Sequence, residues 1–411
     1  MGSSARWSSI PGGITAPTGF QASGITAGLK ASGKPDLSLL LAPHGAVCAG
    51  TFTTSVVRAA CVDLCSERLR EGSGQARAVV TNSGQANACT GDRGWIDSLR
   101  ATQAVADRLG LDADQVLICS TGVIGVPIAM DTFLAAVDPL VSALAGDGGD
   151  AAARAILTTD LVEKQIALEA ELAGQRVRIG GMAKGSGMIH PNMATMLGYL
   201  TCDAGVPAHV WQAIVHRAVA RSFNAITVDG DTSTNDTFLA FAAGDALPAD
   251  QLEALEQGVT LVAQHLARAI ARDGEGATCL IELQVEGAGN EADALCIART
   301  VCGSSLVKTA VHGCDPNWGR IVAAAGRSGV SFDPAAVALW LGPHQLMAGG
   351  EPMAFDRQAA SDYLQACVQG AYLQNDCVQI RLAIGAGSAQ AKAWGCDLSD
   401  QYVRINADYT T

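Results

Sequence analysis

Lys184-Gly-Ser-Gly-Met-Ile-His-Pro-Asn-Met-Ala-Thr-Met-Leu-Gly-Tyr-Leu-Thr201 is the stretch on which the reading of this chain turns. Its first half combines glycines, a lysine and Pro191, the residues of a turn or loop. Its second half, Met196 to Thr201, is a short apolar run that predicts a strand. Thr195 stands at the junction. The segment is not a phosphate-binding P-loop, because GxxxxGK[ST] places its lysine directly after the second glycine and here Lys184 comes first. Spacing alone leaves two readings open: a turn with a solvated lysine, or a ligand site.

Outward from this stretch, strands and helices alternate. Short apolar runs rich in β-branched residues predict strands at Ala78–Thr81, Gln115–Cys119, Arg176–Ile179 and Leu280–Val285. Helical periodicity is plainest in Trp95 to Leu109, which Gly110 closes as a C-cap residue should. Ala208–Ser222, after Pro207, and Gln251–Arg272, after Pro248 and Asp250, follow the same pattern. Such alternation implies α/β layers. The run Ala145 to Asp150, with its Gly-Asp-Gly-Gly-Asp sequence, is expected to be a loop between lobes. The tail is expected to carry strands at Gln379–Ile384 and Gln401–Ile405 and to dock against the body.

Lys and Arg total 27 against 40 Asp and Glu, so the formal charge is −13, which argues against nucleic acid or an anionic membrane as the main partner. Hydrophobic residues at 49% suffice for a sizeable core, and charged residues at 16% are too few for disorder. No apolar run reaches the roughly 18 residues of a membrane span. Met1 to Gly13 lacks the apolar core of a secretory signal, and Arg6 stands where a myristoylation start needs Ser or Thr. The 13 cysteines include no CxxC pair, so reduced buried thiols in a cytoplasmic protein are expected in place of a disulfide framework or zinc site. Cys61 and Cys65 are spaced to share a helix face. Asp229, Asp231 and Asp236 miss the EF-hand register, whose twelfth position falls on Ala240, so no metal is expected.

Small polar clusters complete the pattern: Asn82 to Gly91 after one strand, Cys119 to Gly125 off another, then Thr227 to Thr237, Asp273 to Thr278 and Asp315 to Arg320. Glycines at strand ends let backbone approach a ligand closely.

Taken in order, these clusters resemble the ArgJ family, the ornithine acetyltransferases of arginine biosynthesis. The likeness runs from about Gly19 to Thr411. It is carried by KGSGMIHPNMATMLGYLT at Lys184–Thr201, TVDGDTSTNDT at Thr227–Thr237, DPNWGRI at Asp315–Ile321 and YVRINADYTT at Tyr402–Thr411. The resemblance implies an αββα layered sandwich and a precursor that cuts itself between Ala194 and Thr195. The products would be an α chain, 1–194, and a β chain, 195–411, assembled as two of each. Cleavage would give Thr195 a free α-amine, which titrates near roughly 7.7–8.0 and can take the proton of the adjacent hydroxyl.

By the same resemblance, Thr195 takes acetyl from N2-acetyl-L-ornithine, holds it as an ester and passes it to L-glutamate in a ping-pong exchange. Thr121 and Gly122 match the family's oxyanion hole, where one donor is worth roughly 3–4 kcal/mol. Thr158, Lys184, Thr195, Glu275, Asn406 and Thr411 match its substrate contacts. Lys184 suits a carboxylate and Glu275 an ammonium group. No cofactor is implied, and acetyl-CoA stands open as an alternative donor. Cys279 and Leu161 depart from the commoner lysine and threonine, and Gln85 from asparagine. Two other readings compete: a hydrolase of the β-aminopeptidase (DmpA) type, in which water takes the acyl group, and an uncut metabolite-binding protein.

Overall fold

The computed structural model describes residues 6–190 and 196–407. Among these, nine strands build one sheet: β1 (Ser8–Ile10), β2 (Gln21–Ile25), β3 (Leu37–Phe52), β4 (Gln75–Gln85), β5 (Val116–Val123), β6 (Lys164–Leu172), β7 (Gln175–Lys184), β8 (Leu197–Gly205) and β9 (Thr237–Ala246). Their order is β1-β6-β7-β8-β9-β3-β4-β5, with β2 beside β3.

β3 turns this one sheet into two layers. Its first half, Leu37–Leu41, pairs with β2 and β4, and its last part, Val47–Phe52, pairs with β9. Pro43 and Gly45, the latter at φ 85°, lie where the register shifts. Proline lacks the ladder N–H and is tolerated at such an irregularity. The carbonyl of Pro43 is taken by the Arg77 guanidinium.

Side-chain alternation then sorts residues into three cores. Leu37, Leu39, Val80 and Ile118 face helices α1 (Ala60–Glu71), α2 (Gly91–Leu109) and α3 (Met130–Ser142). Their neighbours Leu40, Val79 and Leu117 point the other way, onto Met182, Leu197, Tyr199 and Phe241 of the second layer. Thr81 and Tyr199 join the layers through a 2.7 Å hydroxyl hydrogen bond. α4 (Gly149–Ala155) also lies on this inner core. Ile179, Leu200, Phe238 and Ala240 face outward onto α5 (Ala208–Ala220) and α6 (Leu252–Arg272). Strict alternation on both layers is what a sheet buried on two faces requires. The order helix, sheet, sheet, helix is the expected αββα arrangement.

A second sheet follows, in the order β13-β12-β11-β14-β10-β15. Its strands are β10 (Leu280–Ala288), β11 (Ala338–Leu341), β12 (His344–Ala348), β13 (Glu351–Pro352), β14 (Cys377–Ala383) and β15 (Ala389–Cys396). Ile281, Leu283, Leu339 and Leu382 pack it against α7 (Glu291–Cys302), α8 (Ser305–His312), α9 (Trp318–Gly326) and α10 (Arg357–Val368). Among the described residues no single helix is long and apolar enough to cross a membrane.

Two expectations need correction. The tail segment Gln401–Ile405 is not a strand but part of α11 (Asp400–Ala407). Its β-branched residues suggested extension, yet the Ser399 hydroxyl accepts the Gln401 N–H and Arg404 pairs with Asp400 one turn back. These local bonds favour a helix. Nor is Ala145–Asp150 a loop between lobes. Ala145 exchanges two 3.0 Å backbone bonds with Ala22, and a Cβ on Gly148 would meet the Ala22 carbonyl at 1.9 Å. Gly148 and Gly149 serve close packing, the latter against Thr15 and the Gly12 carbonyl.

Candidate active site

Lys184 ends β7, opposite Leu197 at the start of β8. Its buried ammonium donates to Thr158 Oγ1 at 2.7 Å and to Thr121 Oγ1 at 3.3 Å, and lies 4.0 Å from Asp160. Asp160 accepts from the backbone N–H of Thr158 (3.0 Å) and Gly185 (2.6 Å) and from Lys164 Nζ (2.7 Å). Lys164 reaches Asp273 as well, at 2.6 Å. Two ammonium groups and two carboxylates therefore neutralise one another in the interior, the condition under which buried charge is tolerated. Burial makes Lys184 hold its proton less tightly than usual, with Asp160 opposing and Lys164 reinforcing the shift. Burial alone would raise Asp160, but Lys164 and Lys184 outweigh it and hold the carboxyl well below the usual range. Asp273 is pushed up by burial, against the pull of Lys164.

Thr121 and Gly122 lie near the end of β5. Gly122 has φ 134°, and a Cβ there would stand 2.2 Å from the Gly84 carbonyl carbon of β4, so a side chain is excluded. The adjacent Ser120 carbonyl accepts from Asn235 Nδ2 at 2.8 Å, tying this strand end to the loop before β9. Lys30 approaches Thr158 from another side, donating to the carbonyl of Leu157 at 2.6 Å. Burial brings its pKa down to about 8. Its loop is organised by the Asp36 carboxylate, which accepts the backbone N–H groups of Ala27, Gly28, Leu29 and Lys30.

Glu275 sits in the short connection from α6 to β10. Its N–H donates to the Ser186 carbonyl at 2.9 Å, and a Cβ on Gly187 would collide with its carboxyl at 2.6 Å. Asn406 of α11 donates to Glu275 Oε2 at 2.8 Å, so the tail is docked beside the lysine loop. Gly276, at φ 74°, is where α11 presses closest: a Cβ would meet the Tyr402 nitrogen at 2.7 Å. Cys279 is fully buried, and burial, with Asp397 beside it, pushes its thiol far up. That departure from lysine places an inert thiol in the interior.

Thr121, Gly122, Thr158 and Lys184 thus converge, with Glu275 and Asn406 alongside. Ala194, Thr195 and Thr411 lie outside the described residues. The flanks of 191–195 are both held by the loop before β9. Asp229 accepts from Met188 N at 2.6 Å and Ile189 N at 2.9 Å on one side, and Asp236 accepts from Met196 N at 2.9 Å on the other. Sequence reading considered these aspartates only as calcium ligands. It missed Lys164 and Lys30 altogether, and noted Asp273 without a role. The available signal was acidic residues inside motifs otherwise built of small neutral ones. His209 and His216 are simply exposed on α5. Two adjoining clefts of about 610 and 600 Å³, between α6 and β15, include none of the site residues. Among the described residues no group of three or more His, Cys, Asp or Glu converges as metal donors would.

Fold and site together define an α/β enzyme with a buried, lysine-centred polar site. The model of the ArgJ family matches residues 21–411. Similar proteins include one named arginine biosynthesis bifunctional protein ArgJ from Prochlorococcus marinus (strain MIT 9313), 73% identical over 98% of this chain and 95% of its own. Another of that name, from Synechocystis sp., is 56% identical over 99% of this chain and 100% of its own. A crystal structure of ornithine acetyltransferase complexed with ornithine, from Mycobacterium tuberculosis, is 43% identical with a TM-score of 0.42, covering 45% of this chain and 98% of that one. The chain belongs to the ArgJ family.

Proposed function

We propose that this protein is an acetyltransferase of arginine biosynthesis that moves acetyl from N2-acetyl-L-ornithine to L-glutamate through an ester on Thr195. The observation that carries this reading is the Lys184 ammonium held between Thr121 and Thr158 at the strand end next to β8. A fixed cation and an adjacent hydroxyl and glycine at a strand end are what a carboxylate and a developing oxyanion need. Family membership over nearly the whole chain supports the same reaction.

Thr195 becomes competent when the Ala194–Thr195 bond breaks. Its Oγ attacks the Ala194 carbonyl, the acyl group shifts from nitrogen to oxygen, and water hydrolyses the ester, leaving a free amine beside the hydroxyl. In turnover that amine takes the hydroxyl proton as Oγ attacks the acetyl carbonyl, and ornithine departs. Glutamate then accepts the acetyl group through its α-amine. Lys184 pairs with the α-carboxylate that donor and acceptor share, and Glu275, its carboxylate oriented by Asn406, receives an ammonium group together with Thr411.

The sheet order supports a two-chain enzyme that stays together. β8 and β9, from the second fragment, lie between β7 and β3, from the first, so separating 1–194 from 195–411 would tear one sheet in two places. The assembly is two of each fragment. No cofactor takes part, and acetyl-CoA serves as a second donor, in keeping with the relatives' name "bifunctional".

Intact-mass measurement together with product analysis tests the proposal. Two fragments, and acetylglutamate formed only when glutamate is supplied, are expected. A single uncut active chain, or acetate release indifferent to glutamate, would overturn it.

A further inference from the structure

The connection from β2 to β3, residues 26–36, is drawn onto the site by one side chain. Besides the four N–H groups that the Asp36 carboxylate gathers, the Asp36 carbonyl accepts from Ser83 N at 2.9 Å, and the Leu29 carbonyl accepts from Gln85 Nε2 at 2.6 Å. These bonds lay the loop over the end of β4. A Cβ on Gly84 would stand 3.1 Å from the Leu29 carbonyl oxygen and 3.3 Å from Lys30 Cγ. Gly84 is the register partner of Gly122, so the stem of Lys30 rests on the strand that holds the glycine end of β5.

The head of Lys30 reaches the other wall. Its ammonium donates to the Pro35 carbonyl at 2.8 Å and to the Leu157 carbonyl at 2.6 Å. The Leu157 carbonyl belongs to the peptide group that joins Leu157 to Thr158, and the N–H of the same peptide donates to Asp160 Oδ2 at 3.0 Å. One peptide is thus gripped at its oxygen by a cation and at its nitrogen by a carboxylate, both of them charge-assisted bonds. Just beyond it, Thr158 Oγ1 accepts from Lys184.

A lysine in a loop ordinarily stays in water and keeps its freedom. Here burial, Lys184 and Lys34 all work against its charge, and Asp36 and Asp160 favour it. The fold does not require this arrangement. Pro35 and Leu157 are only half-buried, where water can satisfy a carbonyl. A Thr158 held at a fixed distance from β5 does require it.

Resting on the acetyl-transfer reading above, we propose that Lys30 is a positioning residue for substrate recognition: with its stem on Gly84 and its head on the Leu157 carbonyl, it sets Thr158 relative to Thr121 and Gly122, so that Thr158 and Lys184 meet the substrate α-carboxylate together. Lys30 itself touches no substrate. Because donor and acceptor share the α-carboxylate, the device serves both halves of the exchange.

Lys30→Met tests this in the full-length enzyme, because it keeps an unbranched stem over Gly84 and removes only the ammonium. KM for acetylornithine and KM for glutamate are both expected to rise about tenfold, the scale of one charge-assisted hydrogen bond, with kcat within about twofold of wild type. Thr158→Val supplies the second arm. If Lys30 acts through Thr158, the double variant Lys30→Met/Thr158→Val raises KM no more than about twofold beyond Thr158→Val alone. Lys34→Met, an exposed lysine of the same loop, leaves both KM values in place. Should Lys30→Met fail to fold, Lys30→Gln enters the same cycle, since its neutral amide is one atom too short to span to Leu157, and the same rise is expected. Full additivity in the double variant, a fall in kcat with KM unchanged, or an equal KM rise in Lys34→Met would overturn the assignment while the acetyl-transfer reading stands. A wild type that transfers no acetyl from acetylornithine to glutamate sinks that reading, and this one with it.

Discussion

The two charged ends of the site are built in opposite ways. At one end Lys184, Asp160, Lys164 and Asp273 have side chains no more than 4% exposed, each charge answered by an opposite one. At the other, half-buried Glu275 meets exposed Asn406 on α11, a helix with no buried residue. The first end is part of the core and fixes geometry. The second lies at the surface and, under the acetyl-transfer proposal, adjusts binding. Mutations at the first should therefore be read as lost folding or lost chemistry, and at the second as altered affinity.

Lys164→Met should have the largest effect. It leaves Asp160 and Asp273 buried together without the cation they share, and breaking a buried pair from one side costs about 3–5 kcal/mol. Thermal and denaturant unfolding would show it, and a loss below about 1 kcal/mol would contradict the contrast drawn here. The pH dependence follows from Asp160. Its folded pKa is depressed, so its contribution to stability is complete above the unfolded value of roughly 3.9 and is lost as pH falls toward and through the folded value. Acid unfolding of the wild type should therefore begin below about pH 4, and Lys164→Met should unfold at higher pH.

Lys184→Met separates chemistry from folding. Asp160 keeps Lys164 and two backbone donors, so the stability loss should be smaller than for Lys164→Met, while Thr121 and Thr158 lose the ammonium between them. Under the acetyl-transfer proposal kcat/KM for acetylornithine should fall about 100- to 1,000-fold, the scale of one preorganised electrostatic contact. A Tm drop equal to that of Lys164→Met, with activity retained, would erase the distinction between the two lysines.

How much of this was legible beforehand follows the same division. Lys184 stood out because glycines surround it, and Thr121 and Gly122 because they follow a strand. Lys164 did not: in Lys164-Gln-Ile-Ala-Leu-Glu169 it looks like the solvated start of an alternating strand, and one of its two partners is 109 residues away. Pairing at that distance is set by how β6 and α6 meet, which no local pattern records. The αββα order was implied by resemblance, whereas the device that makes it, β3 bending at Pro43–Gly45, was punctuated in the sequence and passed over. The α11 helix was misread because Val403 and Ile405 outweighed the Ser399 cap and the Asp400–Arg404 spacing. Local bonds decided there against β propensity.

Glu275→Gln probes the outer end. The amide keeps the shape and can still bond Asn406, but it cannot pair with a substrate ammonium. A hydrogen bond to a charged group is worth about 1.5–3 kcal/mol, so KM should rise at least about tenfold with little change in unfolding. Steady-state kinetics beside a melting curve distinguish this from misfolding, because Glu275 also holds Ser186 through its backbone N–H, which the substitution leaves alone.

Asn406→Ala should do least, and for a reason that sharpens the comparison. Asn406 orients the Glu275 carboxylate from the solvent side, where water can replace its amide, and exposed polar pairs contribute about 0.2–1 kcal/mol. KM should rise about two- to fivefold, kcat should hold, and stability should not move. Combined with Glu275→Gln, it should add almost nothing, since the charge it orients is already gone. Full additivity in that double variant would mean that Asn406 binds substrate on its own account, and the tail would then count as part of the pocket wall in its own right.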